Sequence, residues 1–243
     1  MSFNLEALLT DKLNKRVNNP VKVEIFEDLE LDEFDLNQEL DIVLNNENLR
    51  ISTRRSGCYH PSSIGSCKRK TYYERVGEQE KQILSPQSIL IFEIGHAVHE
   101  KVQARLIKIK GSLIEAPVCI PELNMYGNAD YVNIIKKVIV DLKTINPDAY
   151  DKLTGPNIKH VKQVLCYMYA CDFNNGQIMY INKSSGARKL YKFTFNQDLW
   201  DEVLKEIDEV ETCVRAQTPP PKEVDYFSCT GCKFNWTCNP FDK

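Results

Sequence analysis

The tripeptide Asp141-Leu142-Lys143 closes an apolar run, Val138-Ile139-Val140, and carries the sharpest local chemistry in the chain. A run of this kind reads as a buried, central strand. Side chains two apart on a strand share a face, so Asp141 and Lys143 point the same way. A carboxylate and an ammonium ending a buried strand are costly unless they pair or work. Just upstream, Tyr126-Gly127-Asn128-Ala129-Asp130 supplies a second carboxylate on a neighbouring strand. Two carboxylates joined by a hairpin can hold a hard divalent ion, Mg2+ or Mn2+, through oxygen. Such an ion polarises a phosphate and lowers the pKa of a bound water. A lysine beside it can orient that water or stabilise charge in the transition state. The combination suits phosphodiester hydrolysis. For the tripeptide alone, an ordinary Asp–Lys ion pair at a strand end is the better account.

A second constellation lies in the tail, where Cys229-Thr230-Gly231-Cys232 is followed after five residues by Cys238. Three thiols so spaced wrap one inorganic centre and leave its fourth ligand to come from elsewhere. Zinc usually takes two paired knuckles, and here there is one. Three clustered cysteines plus a remote one suit a [4Fe-4S] cluster better. The chain has nine cysteines in all, an odd count that argues against a disulfide framework. Cys119, Cys166 and Cys171 fall in apolar stretches and read as small buried hydrophobes.

Regular elements must position these groups. Ser63 can cap a short helix running to about Arg75. A second helix fits Ser88 to about Lys108, with Ile91, Ile94, Val98, Val102 and Leu106 at three- and four-residue spacing. Gly95, His99, Val102 and Leu106 form an adjoining stripe, which puts His99 at the edge of the buried face. Leu113 to Cys119, Met125 to Ile134 and Lys136 to Thr144 read as strands. A helix fits Asn157 to Asp172, with Ile158, Val161, Leu165 and Met168 as its core stripe. His160, Gln163 and Tyr167 make a second, polar stripe on it. Strands follow at Gln177 to Lys183 and Leu190 to Phe195. A last helix spans about Gln197 to Ala216, burying Leu199, Val203, Ile207, Val210 and Val214. Pro219-Pro220-Pro221 ends it. The order of helices and strands predicts an α/β fold with a sheet core flanked by helices.

Four short motifs in succession resemble the RecB-like nucleases of the PD-(D/E)XK superfamily. They are Gly95 to His99 on a helix, Gly127 to Asp130, Asp141 to Lys143 on a strand, and Gln163 to Tyr167 on a helix. The resemblance covers roughly residues 60 to 240. It implies a restriction-endonuclease-like core, a mixed sheet flanked by helices. It also implies that His99, Asp130 and Asp141 ligate Mg2+ or Mn2+, helped by the Leu142 carbonyl. Lys143 would assist the attacking water, and Gln163 and Tyr167 would hold the lysine or the DNA backbone. Taken singly, His99 reads as a core-edge histidine and Tyr167 as packing. Glu115 lies where the family often has another acidic residue. His96 departs from the family's usual Thr or small residue, and reads as an exposed helix position or an extra substrate contact. Ser62 to Lys70 is similar to the opening segment of the iron–sulfur members, the CRISPR-associated exonucleases and AddB nuclease domains. That resemblance points to Cys67 as the fourth cluster ligand, with Cys58 as the alternative. A [4Fe-4S] staple on Cys67, Cys229, Cys232 and Cys238 would hold Lys68, Arg69 and Lys70 near the DNA entrance.

Charge is unevenly spread. Glu24 to Asp41 holds nine acidic residues and no Lys or Arg, so the net charge of -3 leaves +6 on the remainder. Arg50 to Arg75 carries Arg50, Arg54, Arg55, Lys68, Arg69, Lys70 and Arg75 against Glu74 alone. A local basic patch suits a polyanion, although a solvated surface with scattered charge accounts for it as well. Residues 1–50 read as an appendage with a short amphipathic helix at Leu5 to Leu13 and the acidic segment. Residues 51–243 read as the nuclease domain, with the cluster-binding tail at 217–243. No apolar run spans a bilayer, and no signal-peptide layout opens the chain. A cytoplasmic protein of a bacterial or phage-infected cell is expected. The favoured activity is exonucleolytic cleavage of single-stranded or end-exposed DNA, alone or with a helicase or recombination partner. The alternative is a DNA- or partner-binding iron–sulfur or zinc module with little catalysis.

Overall fold

The computed structural model describes residues 35–46, 55–81 and 84–239. The helix expected at Leu5 to Leu13 and most of the acidic segment lie outside them. The chain divides into two units, residues 1–42 and 43–243. Residues 36–42 of the first are helical and open α1, Leu36–Asn46.

The centre of the second unit is one sheet of β1 (Ser112–Ile120), β2 (Met125–Asn133), β3 (Val138–Ile145), β4 (Asn175–Asn182) and β5 (Arg188–Thr194), ordered as numbered. Neighbours are antiparallel except β3 and β4, which are parallel. A parallel pair needs a crossover. Here it is made by α4 (Pro147–Lys152) and α5 (Ile158–Cys171). The apolar run ending in Asp141 is therefore the middle strand, as its composition requires.

The flanking helices are α2 (Lys68–Val76), α3 (Pro86–Leu106) and α6 (Gln197–Arg215), and the tail adds α7 (Tyr226–Thr230) and α8 (Asn235–Cys238). Strand alternation gives β3 two different faces. Val140 and Leu142 pack with Tyr131 and with Val102 and Leu106 of α3. Ile139 packs with Val161, Val164, Leu165 and Met168 of α5, together with Ile178 and Tyr180 of β4. Asp141 and Lys143 share the parity of Ile139 and face α5. A third cluster joins Tyr72 and Tyr73 of α2, Trp200, Val203 and Ile207 of α6, and Phe234 of the tail. Asn157 caps α5 by accepting from the Lys159 N–H, and Asn196 caps α6 by accepting from the Leu199 N–H. Among the described residues no helix is long and apolar enough to cross a membrane.

Several expectations are corrected in detail. Ser63 ends a 3-10 turn, Pro61–Ser63, and α2 starts only at Lys68. Gly65 lies between them at φ +72°, which a continuous helix forbids. In α3, Ile91 and Ile94 are exposed, and it is the adjoining stripe of Gly95, His99, Val102 and Leu106 that meets the sheet. Ile158 opens α5 and is exposed, while Val161, Leu165 and Met168 are buried as expected. Cys166 is buried, Cys171 half-buried, and Cys119 lies on the outer face of β1.

Candidate active site

The hairpin of β2 and β3 opens where the carboxylates stand. Its ladder runs Asn133–Val138, Val132–Ile139 and Tyr131–Val140, then ends. Beyond it the Asp130 side chain takes over from the backbone: its Oδ2 accepts the Leu142 N–H at 2.7 Å. Asp141 is almost wholly buried. Its Oδ1 accepts from Lys143 Nζ at 2.9 Å. Its Oδ2 lies 2.8 Å from the same ammonium. Burial pushes the Asp141 carboxyl up to about 7, and Asp130 adds to this, while Lys143 pulls the other way. Asp130 is also raised by burial, against the Leu142 N–H and the charges of Lys143 and His99.

Glycine sets how closely α3 approaches. A Cβ on Gly95 would lie 3.2 Å from Thr144 Oγ1 on β3. One turn later comes His99, half-buried, within electrostatic reach of Asp130, Lys143, Glu115 and His96. Burial lowers its pKa, so the imidazole is neutral and free to act as a ligand. His96 is exposed. Next to this group the buried Gln103 amide donates to Glu115 Oε1 at 2.6 Å and to the Asp130 carbonyl at 3.2 Å. Glu115 takes φ +47°, a left-handed conformation disfavoured for any residue with a Cβ. The faces of β1 exchange across it: Ile114 packs on the α3 side, Ala116 and Val118 on the α5 side. Sequence reasoning assigned Gln103 no role. A lone glutamine in a helix carries no signal without the strand it faces.

From the other side, α5 presents its polar stripe. Gln163 Nε2 donates to the Tyr167 hydroxyl at 3.2 Å, and both side chains are buried. Burial raises the Tyr167 pKa, and the nearby Asp141 and Asp130 add to the shift. Gly127 makes room here. A Cβ would meet Pro61 Cδ at 2.9 Å and Tyr167 Cε1 at 3.5 Å. His160 belongs to the same stripe, and its Nδ1 is 2.7 Å from the hydroxyl of Tyr180. Tyr180 on β4 is the register partner of Lys143.

Among the described residues no three His, Cys, Asp or Glu side chains are gathered into a metal-ligating group. The donors at the strand split still suit a hard divalent ion. A buried carboxylate whose charged partner is Lys143, a second carboxylate one strand away and a neutral imidazole are what such an ion binds.

The tail docks on α2. Phe234 is fully buried, with its ring 5.4 Å from Tyr73. The buried Glu74 lies 2.9 Å from Lys233 Nζ. Burial raises the Glu74 pKa, but Lys233, the Ser63 hydroxyl and Lys70 outweigh it, so the carboxylate stays charged. Cys67, Cys229, Cys232 and Cys238 line one cleft of about 1010 Å³. Burial raises the Cys238 thiol pKa, with Cys67, Cys232 and Cys229 adding to it and Arg69 opposing. Cys58 stands apart, with its Sγ 3.2 Å from the Arg55 carbonyl. The three basic residues differ in how free they are. Lys68 pairs with Glu209 at 2.7 Å, and Arg69 donates to the Tyr73 hydroxyl and the Pro220 carbonyl. Lys70 lines the cleft.

Residues 60–239 match the sequence profile of the PD-(D/E)XK nuclease superfamily. No curated protein matches the chain. A crystal structure of SSO0001 superposes with a TM-score of 0.54 at 16% identity, over 87% of this chain and 100% of that one. That likeness is one of fold. An alkaline exonuclease from Laribacter hongkongensis gives a TM-score of 0.49 at 11% identity, over 74% of this chain and 93% of its own. A phage-related exonuclease from Haemophilus somnus gives 0.40 at 10% identity, over 68% and 98%.

Proposed function

Because the chain belongs to the PD-(D/E)XK nuclease superfamily, we propose that it is a metal-dependent deoxyribonuclease cutting at Asp130, Asp141 and Lys143. One observation carries this reading. At the point where β2 and β3 part, a buried Asp141 pairs through both oxygens with Lys143 and stands beside an Asp130 anchored on the next strand. Asp130, Asp141 and His99 would hold Mg2+ or Mn2+, with the Leu142 carbonyl beside them. When bound, such an ion polarises the phosphate and makes its water more acidic. Lys143 is held on the reacting side by Asp141 and can donate to the attacking water or to the phosphate. Gln163 and Tyr167 support this face from α5 and exclude water behind it.

Exonuclease action on single-stranded or end-exposed DNA, in a bacterial or phage-infected cell, extends this reading along the motif resemblance. So does service to a helicase or recombination protein. Cys67, Cys229, Cys232 and Cys238 are proposed to bind a [4Fe-4S] cluster joining α2 to the tail. Their shared cleft supports this, and favours Cys67 over Cys58 as the companion of the tail thiols. An anaerobic preparation should be brown, with about four irons per chain for one such cluster. A colourless, zinc-loaded protein would remove the cluster.

The nuclease reading is tested with end-labelled single- and double-stranded DNA in Mg2+ or Mn2+. Wild type should cleave, and Asp141→Ala and Lys143→Ala should each lose at least about 100-fold, the scale of removing one electrostatic stabiliser. Undiminished cleavage by both variants refutes the assignment.

A further inference from the structure

We propose that His160 is a substrate-contacting residue of the cleavage site, whose Nε2–H donates to a non-bridging oxygen of the DNA phosphate held beside Lys143. The proposal rests on the nuclease reading above and adds a residue that none of the four motifs contains.

His160 lies in the first turn of α5, on the stripe that also carries Gln163 and Tyr167. It leans on Tyr180, ring centroids 5.7 Å apart, and Tyr180 pairs with Lys143 across the parallel β3–β4 ladder. The imidazole therefore sits over the end of the strand that bears the lysine.

The hydrogen bonds then fix its tautomer. Tyr180 is buried, and its hydroxyl oxygen accepts the Asn157 N–H at 3.0 Å. A buried hydroxyl must also place its own proton. His160 Nδ1, at 2.7 Å, is the acceptor within reach. With Nδ1 accepting, the ring proton is on Nε2.

Burial, with Lys143 and Lys159 adding to it, lowers the His160 pKa to about 4, so the ring is neutral at physiological pH. A neutral imidazole that feels the charges of Lys143 and Lys159 is a directed donor in a positive field. An anion with several acceptor oxygens satisfies all three, and a phosphodiester is one. With Nδ1 committed to the tie between α5 and β4, Nε2–H is the edge of the ring left to meet a ligand.

Two amide substitutions separate these roles. His160→Asn keeps an acceptor near the Nδ1 position and deletes the donor at Nε2. His160→Gln restores a donor near Nε2. If the histidine contacts phosphate, His160→Asn should melt like wild type yet lose about 10- to 100-fold in kcat/KM, the scale of a hydrogen bond to a charged group. His160→Gln should recover most of that loss. Nitrogen-15 spectra of wild type in EDTA should show His160 as the Nε2–H tautomer. A short single-stranded oligonucleotide, added without metal, should shift that resonance. Undiminished cleavage by His160→Asn, or an Nδ1–H tautomer, overturns the proposal while leaving the nuclease reading standing. Failure of wild type to cleave any DNA removes both.

Discussion

Replacing Asp141 by Asn should make the metal-free protein more stable above neutral pH while abolishing cleavage. The carboxyl is moved from its ordinary 3.8 to about 7, with burial the largest cause. At about 1.4 kcal/mol per pH unit, ionising it in place costs about 4 kcal/mol of folding stability. The sign follows from proton counts. Between pH about 4 and about 7 the folded chain holds more protons than the unfolded one, so stability falls as pH rises through that window and levels above it. Asn is nearly isosteric with the protonated acid and carries no such penalty. Lys143 loses its partner in the variant, but its side chain is 25% exposed and water can replace the carboxylate. A net gain of about 2 kcal/mol at pH 8 is therefore expected, or about 4–8 °C in Tm for a chain of this size. Thermal melts of both proteins in EDTA across pH 4 to 8 give the measurement. The gap should open with rising pH and close near pH 4. Mg2+ should then raise the wild-type Tm more than the variant's, since the variant keeps only one of the two carboxylates proposed to hold the ion. A variant less stable than wild type at pH 8, or a gap independent of pH, would refute the reasoning.

Three further outcomes follow from the packing. Gly127→Ala places a methyl 2.9 Å from Pro61 Cδ, so it should cost about 1–3 kcal/mol in denaturant melts. Gln103→Ala releases Glu115 and the Asp130 carbonyl, and the Mg2+ concentration for half-maximal cleavage should rise about 10-fold with the melting temperature changed little. Glu74→Ala leaves Lys233 to Glu80 alone and should cost about 3 kcal/mol, read as a shifted denaturant midpoint.

The sheet and the helices were legible because hydrophobic periodicity is a property of contiguous residues. Val138 to Val140 had to be central, and the α6 stripe of Val203, Ile207 and Val210 had to be buried. Where two apolar stripes lie side by side, periodicity does not choose between them. In α3 the richer stripe, with Ile91 and Ile94, faces out, and the stripe holding Gly95 and His99 faces in. Backbone proximity decides: at Gly95 the helix lies so close to β3 that a Cβ there would stand 3.2 Å from the Thr144 hydroxyl. Hydropathy scores glycine and histidine poorly, so it ranks the functional stripe second. The same reason hid Gln103 and left His160 without a role, since each acquires meaning from a partner on another element, Glu115 and Tyr180.

Several departures from local rules gather at the site. Glu115 in a left-handed conformation, the ladder that stops at Tyr131–Val140, an aspartate standing in for backbone pairing at Leu142, and an almost wholly buried carboxylate at Asp141 all fall where β1, β2 and β3 meet α3 and α5. Each is unfavourable alone, and regular structure elsewhere must offset it. If they were incidental, removing one should relieve the fold and leave the chemistry intact. Asp141→Asn tests that directly, because a metal-binding role for this carboxylate requires stability and cleavage to move in opposite directions from one atom's change.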